Sequence, residues 1–139
     1  MSLSAASLKV GDTRSAVVVD NLSRTQIVQY AGASGDYNPM HHDEIAATAA
    51  GQPSVFGHGM FSMGLLGTAI TDYVGAGNVR HYQVRFSRQT WPDEVLSSKI
   101  VVTAKREEDG KQLVDLAVTL SNADGEDKVV GEATAAVPS

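Results

Sequence analysis

The stretch from Gly59 to Val74 constrains the fold more than any other segment, because it offers apolar residues on nearly every side of a helix. Small residues separate its large side chains, and no continuous polar face appears at the helical period. A helix of this kind is a buried helix. The stretch is too short and too interrupted by glycine and serine to cross a bilayer. We therefore expect a central helix that other parts of the chain cover.

The second half of the chain alternates apolar and polar residues with a period of two, which is typical of strands with one buried face. Four strands are predicted there. In the first, Tyr82, Val84 and Phe86 alternate with polar residues. The other three each have one face that carries these residues: Leu96, Ser98, Ile100, Val102 and Ala104; Val114, Leu116, Val118 and Leu120; Val129, Gly131, Ala133, Ala135 and Val137. Such strands predict an antiparallel meander, with the apolar helix against its buried face. An antiparallel β-sheet wrapped around a long central helix is an α+β arrangement, the hot-dog fold.

The first half of the chain predicts shorter elements. Residues 15–19 are rich in β-branched side chains and predict a strand. Ser23 is a suitable N-cap for a helix over 24–31, whose buried face would carry Ile27, Val28 and Ala31. A loop of turn-forming residues follows, and then a short helix over 43–50.

Composition excludes several classes of function. The chain has 139 residues, a net charge of −5 and no cysteine. The length predicts one domain over residues 1–139, and the scattered basic residues argue against nucleic-acid binding. The lack of cysteine excludes disulfides, thiolate nucleophiles and cysteine-ligated zinc. No secretory signal or membrane span is visible, so we expect a cytoplasmic protein.

The loop between the two short helices contains the residue types for acid–base chemistry. Asp36 and His41 are five positions apart, and Asn38 and Pro39 between them favour a bend that would bring them together. A second group, His58 and Gly59, stands where the central helix begins and where backbone N–H groups have no internal partner. An Asp/His pair beside such donors suits proton transfer next to a carbonyl. Considered alone, the loop fits an ordinary turn, and His58 alone fits a residue at the start of a helix.

Taken together, these segments resemble the MaoC-like, (R)-specific enoyl-CoA hydratase family of hot-dog proteins. The resemblance rests on the run from Tyr30 to His41, on 56–60 at the start of the central helix and on 82–86 in the first long strand. It is most similar to the short, single hot-dog subunits of (3R)-hydroxyacyl-ACP dehydratases from mycolic-acid bacteria.

The resemblance implies reversible hydration of trans-2-enoyl thioesters to (3R)-hydroxyacyl thioesters. Asp36 and His41 would be the catalytic pair, with neither assigned alone as acid or base. The Gly59 amide, with His58 beside it, would bind the thioester carbonyl, and Asn38 and Pro39 would support the loop. No metal or other cofactor is implied, since the CoA or ACP carrier is part of the substrate. The subunit would form a homodimer or pair with another hot-dog subunit.

Two positions depart from the family pattern. Some hydratases carry a serine on the central helix where this chain has Gly67, so its hydrogen bond would be absent. The usual Pro-Gly-Asp turn after the first long strand is replaced by Pro92-Asp93-Glu94, which puts the geometry of that turn in question.

Two other functions remain open at this point. A hot-dog acyl thioesterase would use the same fold to direct water at the thioester carbonyl, although the spacing of Asp36 and His41 fits a hydratase. A non-catalytic acyl-binding subunit of a heterodimeric dehydratase would not require that both residues be present.

Overall fold

The computed structural model describes residues 3–139. Met1 and Ser2, which the predicted domain includes, lie outside the described residues. The elements follow one another as β1 (Thr13–Val19), α1 (Arg24–Ser34), a short 3-10 turn (Pro39–His41), α2 (Glu44–Ala49), α3 (Gly59–Val74), β2 (Val79–Phe86), β3 (Leu96–Glu108), β4 (Lys111–Ser121) and β5 (Asp127–Val137). All five strands form one antiparallel sheet around α3, which confirms the predicted hot-dog fold.

The order of the strands corrects the predicted meander. The sheet runs β1-β3-β4-β5-β2, so only β3, β4 and β5 are neighbours in both sequence and space. Strand β2 pairs with β5 instead of β3, and β1 takes the place beside β3. The segment over 87–95, which we call the strap, is too long and irregular for a tight hairpin, and it carries the chain from one edge of the sheet to β3.

Most of the predicted inward residues of the three long strands lie in the core. Those that are fully or almost fully buried are Leu96, Ser98, Ile100, Val102, Val114, Leu116, Val118, Leu120, Val129, Ala133, Ala135 and Val137. Leu66, Ile70 and Val74 of α3 pack into this cluster. The alternation of side chains along each strand therefore placed the core correctly.

Helix α3 is not covered all round. Residues Met60, Gly64, Thr68 and Asp72, four positions apart, form an exposed stripe along it, and 58% of the Met60 surface is accessible. The sheet curves around the other sides, and a single sheet cannot close over the last one. The prediction of a fully buried helix was wrong for this stripe.

Helix α1 begins as predicted and ends three residues later than predicted. Ser23 and Gln26 form a reciprocal capping box, in which each side chain accepts from the other residue's backbone N–H. Ile27 and Ala31 are buried, but Val28 is 53% exposed, so its predicted burial was wrong. Val28 follows Ile27 by one position, which places it outside the narrow buried face of α1.

None of the helices in residues 3–139 has the length and apolarity needed to cross a membrane.

Candidate active site

The loop after α1 brings its residues together through local hydrogen bonds. Gly35 ends the helix in the left-handed region, with φ of 77°, which glycine adopts without strain. The backbone N–H of Asp36 then donates to Ser34 Oγ (3.1 Å), and Asp36 Oδ1 accepts from the Asn38 N–H (3.3 Å). One oxygen of the Asp36 carboxylate is thereby tied to the backbone of the bend.

Asn38 and Pro39 shorten the path from Asp36 to His41. Asn38 is extended (φ −56°, ψ 126°), as the residue before a proline prefers, and its Oδ1 accepts from the Met40 N–H at 3.1 Å. Pro39 starts the 3-10 turn that ends at His41. The predicted bend is present at these residues.

Asp36 and His41 face each other at the end of this bend. Asp36 Oδ2 lies 4.0 Å from His41 Nε2, which is too far for a direct hydrogen bond. One water oxygen about 2.8 Å from each atom fits between them. The carboxylate side chain is 54% exposed whereas the imidazole is 10% exposed, so the pair has one open and one enclosed member.

The tautomer of His41 follows from its second contact. His41 Nδ1 lies 2.7 Å from the backbone oxygen of Phe56. A carbonyl oxygen only accepts hydrogen bonds, so Nδ1 carries the proton. In the neutral ring, Nε2 therefore presents a lone pair toward Asp36 and is free to accept a proton.

His58 contacts both members of the pair and is almost fully buried. It is the N-cap of α3, and 2% of its surface is exposed. His58 Nε2 lies 3.1 Å from the backbone oxygen of Asp36, and its ring stacks on His41 with centroids 3.8 Å apart. His58 was expected to help bind substrate, but it exposes almost no surface to a ligand in this chain. It packs instead against the loop that carries Asp36 and His41.

Burial lowers the pKa of His58, and the neighbouring His41 lowers it further, against the opposing effects of Asp36. The bond to the Asp36 carbonyl requires a proton on Nε2. Within the described residues, the buried Nδ1 has no hydrogen-bond partner. The two stacked rings therefore carry the proton of their carbonyl hydrogen bond on different nitrogens, Nδ1 in His41 and Nε2 in His58.

Gly59 is the first residue of α3, and its N–H has no acceptor among residues 3–139. A Cβ at this position would lie 3.4 Å from the Phe86 ring, an ordinary contact. At Gly57, by contrast, a Cβ would lie 2.2 Å from Thr90 Oγ1, and the Gly57 N–H donates to the Thr90 carbonyl at 2.8 Å. Glycine is therefore a steric requirement at 57 but not at 59.

A cavity of about 260 Å³ lies beside the start of α3. Its lining includes Gly59 and the buried hydroxyl groups of Ser62 and Thr90, together with Phe56 and Phe86. Gly57 and residues 87–89 of the strap complete the lining. Asp36 and His41 do not line it in the single chain.

The strap is fixed by a buried ion pair that the sequence analysis missed. Lys128 is 2% exposed, and its Nζ lies 3.0 Å from Glu94 Oε2 and donates to the Gln89 carbonyl at 2.9 Å. Glu94 also accepts from the Trp91 N–H (2.6 Å) and from Asn122 Nδ2 (2.8 Å). The sequence signal for this ion pair was the altered Pro92-Asp93-Glu94 turn, because Glu94 is one of the residues that differ from the family pattern.

The backbone of the same turn keeps a conformation that favours glycine. Asp93 adopts φ of 74° at the position where the family pattern has glycine.

At the other departure, Gly67, a Cβ would lie 3.3 Å from the Tyr82 ring, and no side chain is present to hydrogen-bond. Tyr82 donates instead to the Met63 carbonyl (2.7 Å), and burial raises its pKa.

Asp36, His41 and His58 offer ligand atoms within 4.8 Å of one another, a spacing that a metal ion can bridge. The orientation of the rings does not suit one. Imidazole nitrogens bind metals along lone pairs in the ring plane, and two stacked rings direct these lone pairs side by side instead of toward a common point. His58 Nε2 is also occupied by the Asp36 carbonyl.

A sheet curled around a central helix, with an Asp/His pair where that helix begins, defines a hot-dog protein with a candidate acid–base site. The chain belongs to the MaoC-like domain family, whose model matches residues 6–124. The resemblance predicted from the loop is confirmed.

Known proteins similar to this chain include 3-hydroxyacyl-thioester dehydratase Y of Mycobacterium tuberculosis, 38% identical over 71 residues. That match covers 48% of this chain and 24% of the relative, so the chain spans about a quarter of that protein. The solved R-hydratase PhaJ1 of Pseudomonas aeruginosa is 28% identical, with a TM-score of 0.81 over 96% of this chain and 84% of its own.

The ChsH1–ChsH2 complex of Mycobacterium tuberculosis has the same fold, with a TM-score of 0.78 at 24% identity. The match covers 93% of this chain and 98% of that one.

Proposed function

We propose that this chain catalyses the reversible, (R)-specific hydration of trans-2-enoyl thioesters to (3R)-hydroxyacyl thioesters. The observation that carries the proposal is the Asp36–His41 pair, in which His41 Nε2, the ring nitrogen that is not bound to the Phe56 carbonyl, faces a carboxyl oxygen of Asp36 4.0 Å away. Family membership and the activities named for the dehydratase and hydratase relatives support the same reaction.

Hydration requires a water molecule to attack C3 of the substrate while C2 gains a proton. The gap between Asp36 Oδ2 and His41 Nε2 fits the attacking water, which can donate one hydrogen bond to each atom. As the water adds, one of its protons passes to the pair, and a proton from the pair is delivered to C2. In dehydration the same steps run in reverse, and the proton inventory of the pair is unchanged at the end.

Negative charge develops on the thioester oxygen when C3 is attacked. The free N–H of Gly59 stands at the positive end of α3 and beside the cavity, where a carbonyl oxygen can accept from it. Asn38 and Pro39 hold the Asp36–His41 bend and take no proton. The chemistry needs no metal or redox cofactor, and the CoA or ACP carrier arrives with the substrate.

We further propose that the active unit contains two hot-dog subunits. The outer edge of β2 pairs with no other strand among residues 3–139, and Phe86 at its end is 49% exposed next to the cavity. A second copy, or a different hot-dog subunit as in the ChsH1–ChsH2 complex, would cover this edge.

The test is turnover of crotonyl-CoA and longer 2-enoyl-CoA and 2-enoyl-ACP substrates by the purified chain. We expect loss of the enoyl-thioester absorbance and a (3R) product. Release of free thiol without hydration would indicate an acyl thioesterase instead. A third outcome would indicate a non-catalytic partner. In that case the chain alone turns over no substrate, and an added hot-dog subunit restores turnover. That turnover persists when Asp36 and His41 of this chain are replaced.

A further inference from the structure

His58 touches both Asp36 and His41 and yet is shielded from solvent. Its Nε2 donates to the backbone carbonyl of Asp36, and its ring lies flat against the imidazole of His41. Tyr30 encloses it from another side, with ring centroids 4.8 Å apart. These contacts leave no room for His58 to meet a substrate, but they set the positions of the two residues that do.

If its only role were to stabilise the fold, histidine would be a poor residue at position 58. Its Nδ1 is buried and, within residues 3–139, accepts no hydrogen bond, and buried polar atoms without partners are rare in folded proteins. A phenylalanine would fill the same space without leaving such an atom. What phenylalanine lacks is the Nε2–H that holds the loop at Asp36.

The titratable groups around His58 are Asp36, His41 and Tyr30. A proton on Nδ1 would place a cation against the face of His41, the ring that must itself gain and lose a proton in the reaction. A neutral His58 leaves that exchange to His41 alone.

We infer that His58 is a positioning residue, whose Nε2–H fixes the main chain at Asp36 and whose stacked ring fixes the plane of His41. This inference rests on the proposed hydratase function. The Nε2–H and the face of the ring have separate tasks, and substitutions can remove each of them alone.

Three variants separate these tasks. His58→Gln keeps an amide N–H that can reach the Asp36 carbonyl but removes the ring, whereas His58→Phe keeps a ring against His41 but removes the donor. His58→Ala removes both. The matched control is His42→Ala, because His42 Nε2 also contacts a loop carbonyl, that of Tyr37 at 3.1 Å, yet is exposed and does not stack on His41.

We expect His58→Ala to lower kcat for enoyl-thioester hydration by about 10- to 100-fold, because a small misplacement of catalytic groups has effects of this size. His58→Gln and His58→Phe should each recover part of the loss, and KM should change far less than kcat. His42→Ala should leave kcat within about threefold. A folded His58→Ala variant with wild-type kcat, or an equal loss in His42→Ala, would overturn the inference.

A spectroscopic readout separates this inference from the proposed function. Nitrogen-15 NMR of the histidine rings should show His58 as the neutral Nε2–H tautomer and His41 as Nδ1–H at neutral pH. In His58→Ala the plane of the His41 ring is no longer held by stacking, so its Nδ1 should leave the Phe56 carbonyl part of the time and the His41 signals should lose this single-tautomer pattern. If the wild type hydrates no enoyl thioester but the NMR pattern and its loss are observed, the hydratase proposal fails and the positioning role stands. Unchanged His41 signals in His58→Ala would contradict the positioning role whatever the activity.

Discussion

His41 and Phe56, fifteen residues apart, are joined by a 2.7 Å hydrogen bond from the ring Nδ1 to a backbone carbonyl. This bond decides which nitrogen of His41 faces Asp36, because the carbonyl can only accept. It also ties the loop after α1 to the segment that leads into α3, so that the Asp36–His41 pair and the Gly59 amide have a fixed relation.

The first prediction concerns the backbone N–H of Gly59. Gly59→Pro removes this donor, and proline is tolerated at the first position of a helix. The preceding His58 is already extended (φ −65°, ψ 142°), as a residue before proline must be. We expect a folded variant whose turnover falls by about 10²–10³-fold, as for loss of one oxyanion donor.

Gly59→Ala is the matched control for this experiment, because it adds a Cβ but keeps the N–H. The Cβ would meet the half-exposed Phe86 ring at 3.4 Å, so alanine should retain turnover within about fivefold, well short of the loss expected for a missing donor. Equal turnover in the proline and alanine variants would remove the oxyanion role of this amide.

The second prediction concerns the contact between Gly57 and Thr90. Gly57→Ala would place a Cβ 2.2 Å from Thr90 Oγ1, so we expect it to reduce the free energy of unfolding by about 1–3 kcal/mol. Thr90→Ala removes that oxygen, and the nearest remaining side-chain atom, Thr90 Cβ, would lie at 3.5 Å. The double variant should therefore be more stable than Gly57→Ala alone. Additive losses in urea denaturation would show that the clash is absent.

The third prediction concerns the buried pair of Lys128 and Glu94. Lys128→Met fills a similar volume but leaves the carboxylate without its cation, and removing one partner of such a pair typically costs about 3–5 kcal/mol. Adding Glu94→Gln should recover part of this loss. Lys99→Met, an exposed lysine on β3, is the control and should change stability little. Thermal unfolding would contradict the account if both lysine variants behaved alike.

The fourth prediction is a loss of stability at mildly acidic pH. Burial and His41 lower the pKa of His58 below the ordinary value of 6.5. The unfolded chain therefore binds more protons than the folded chain as the pH falls below about 6.5, so the free energy of unfolding should decrease in that range. His58→Phe should flatten this dependence in urea denaturation between pH 5.5 and 7.5. An unchanged pH dependence would show that His58 is not the group responsible.

The sequence predicted those parts of the molecule that local rules determine. The bounds of α3, the inner faces of β3, β4 and β5, and the bend from Asp36 to His41 all follow from periodicity, capping or the restriction that Pro39 places on Asn38. The position of β2 beside β5 did not follow, because an apolar–polar alternation does not specify which neighbour a strand takes.

The roles of Phe56 and His58 were hidden for a different reason. Phe56 contributes to the site through its backbone carbonyl, which every residue has, so no residue type signals it. His58 suggested chemistry by its residue type, but its orientation away from solvent depends on packing against Tyr30 and His41. Such contacts between distant segments exist only once the fold has formed.

The most direct test of the central claim is the rate of crotonyl-CoA hydration by the wild type, Asp36→Asn and His41→Ala. Asparagine keeps an oxygen that can accept from the Asn38 N–H, so the loop of Asp36→Asn should stay folded. We expect an active wild type and a fall in turnover of about 10²–10⁴-fold in each variant, with circular dichroism and Tm showing a folded protein. Near-wild-type turnover in either folded variant would contradict the account, because the Asp36–His41 pair could not then be the catalytic centre.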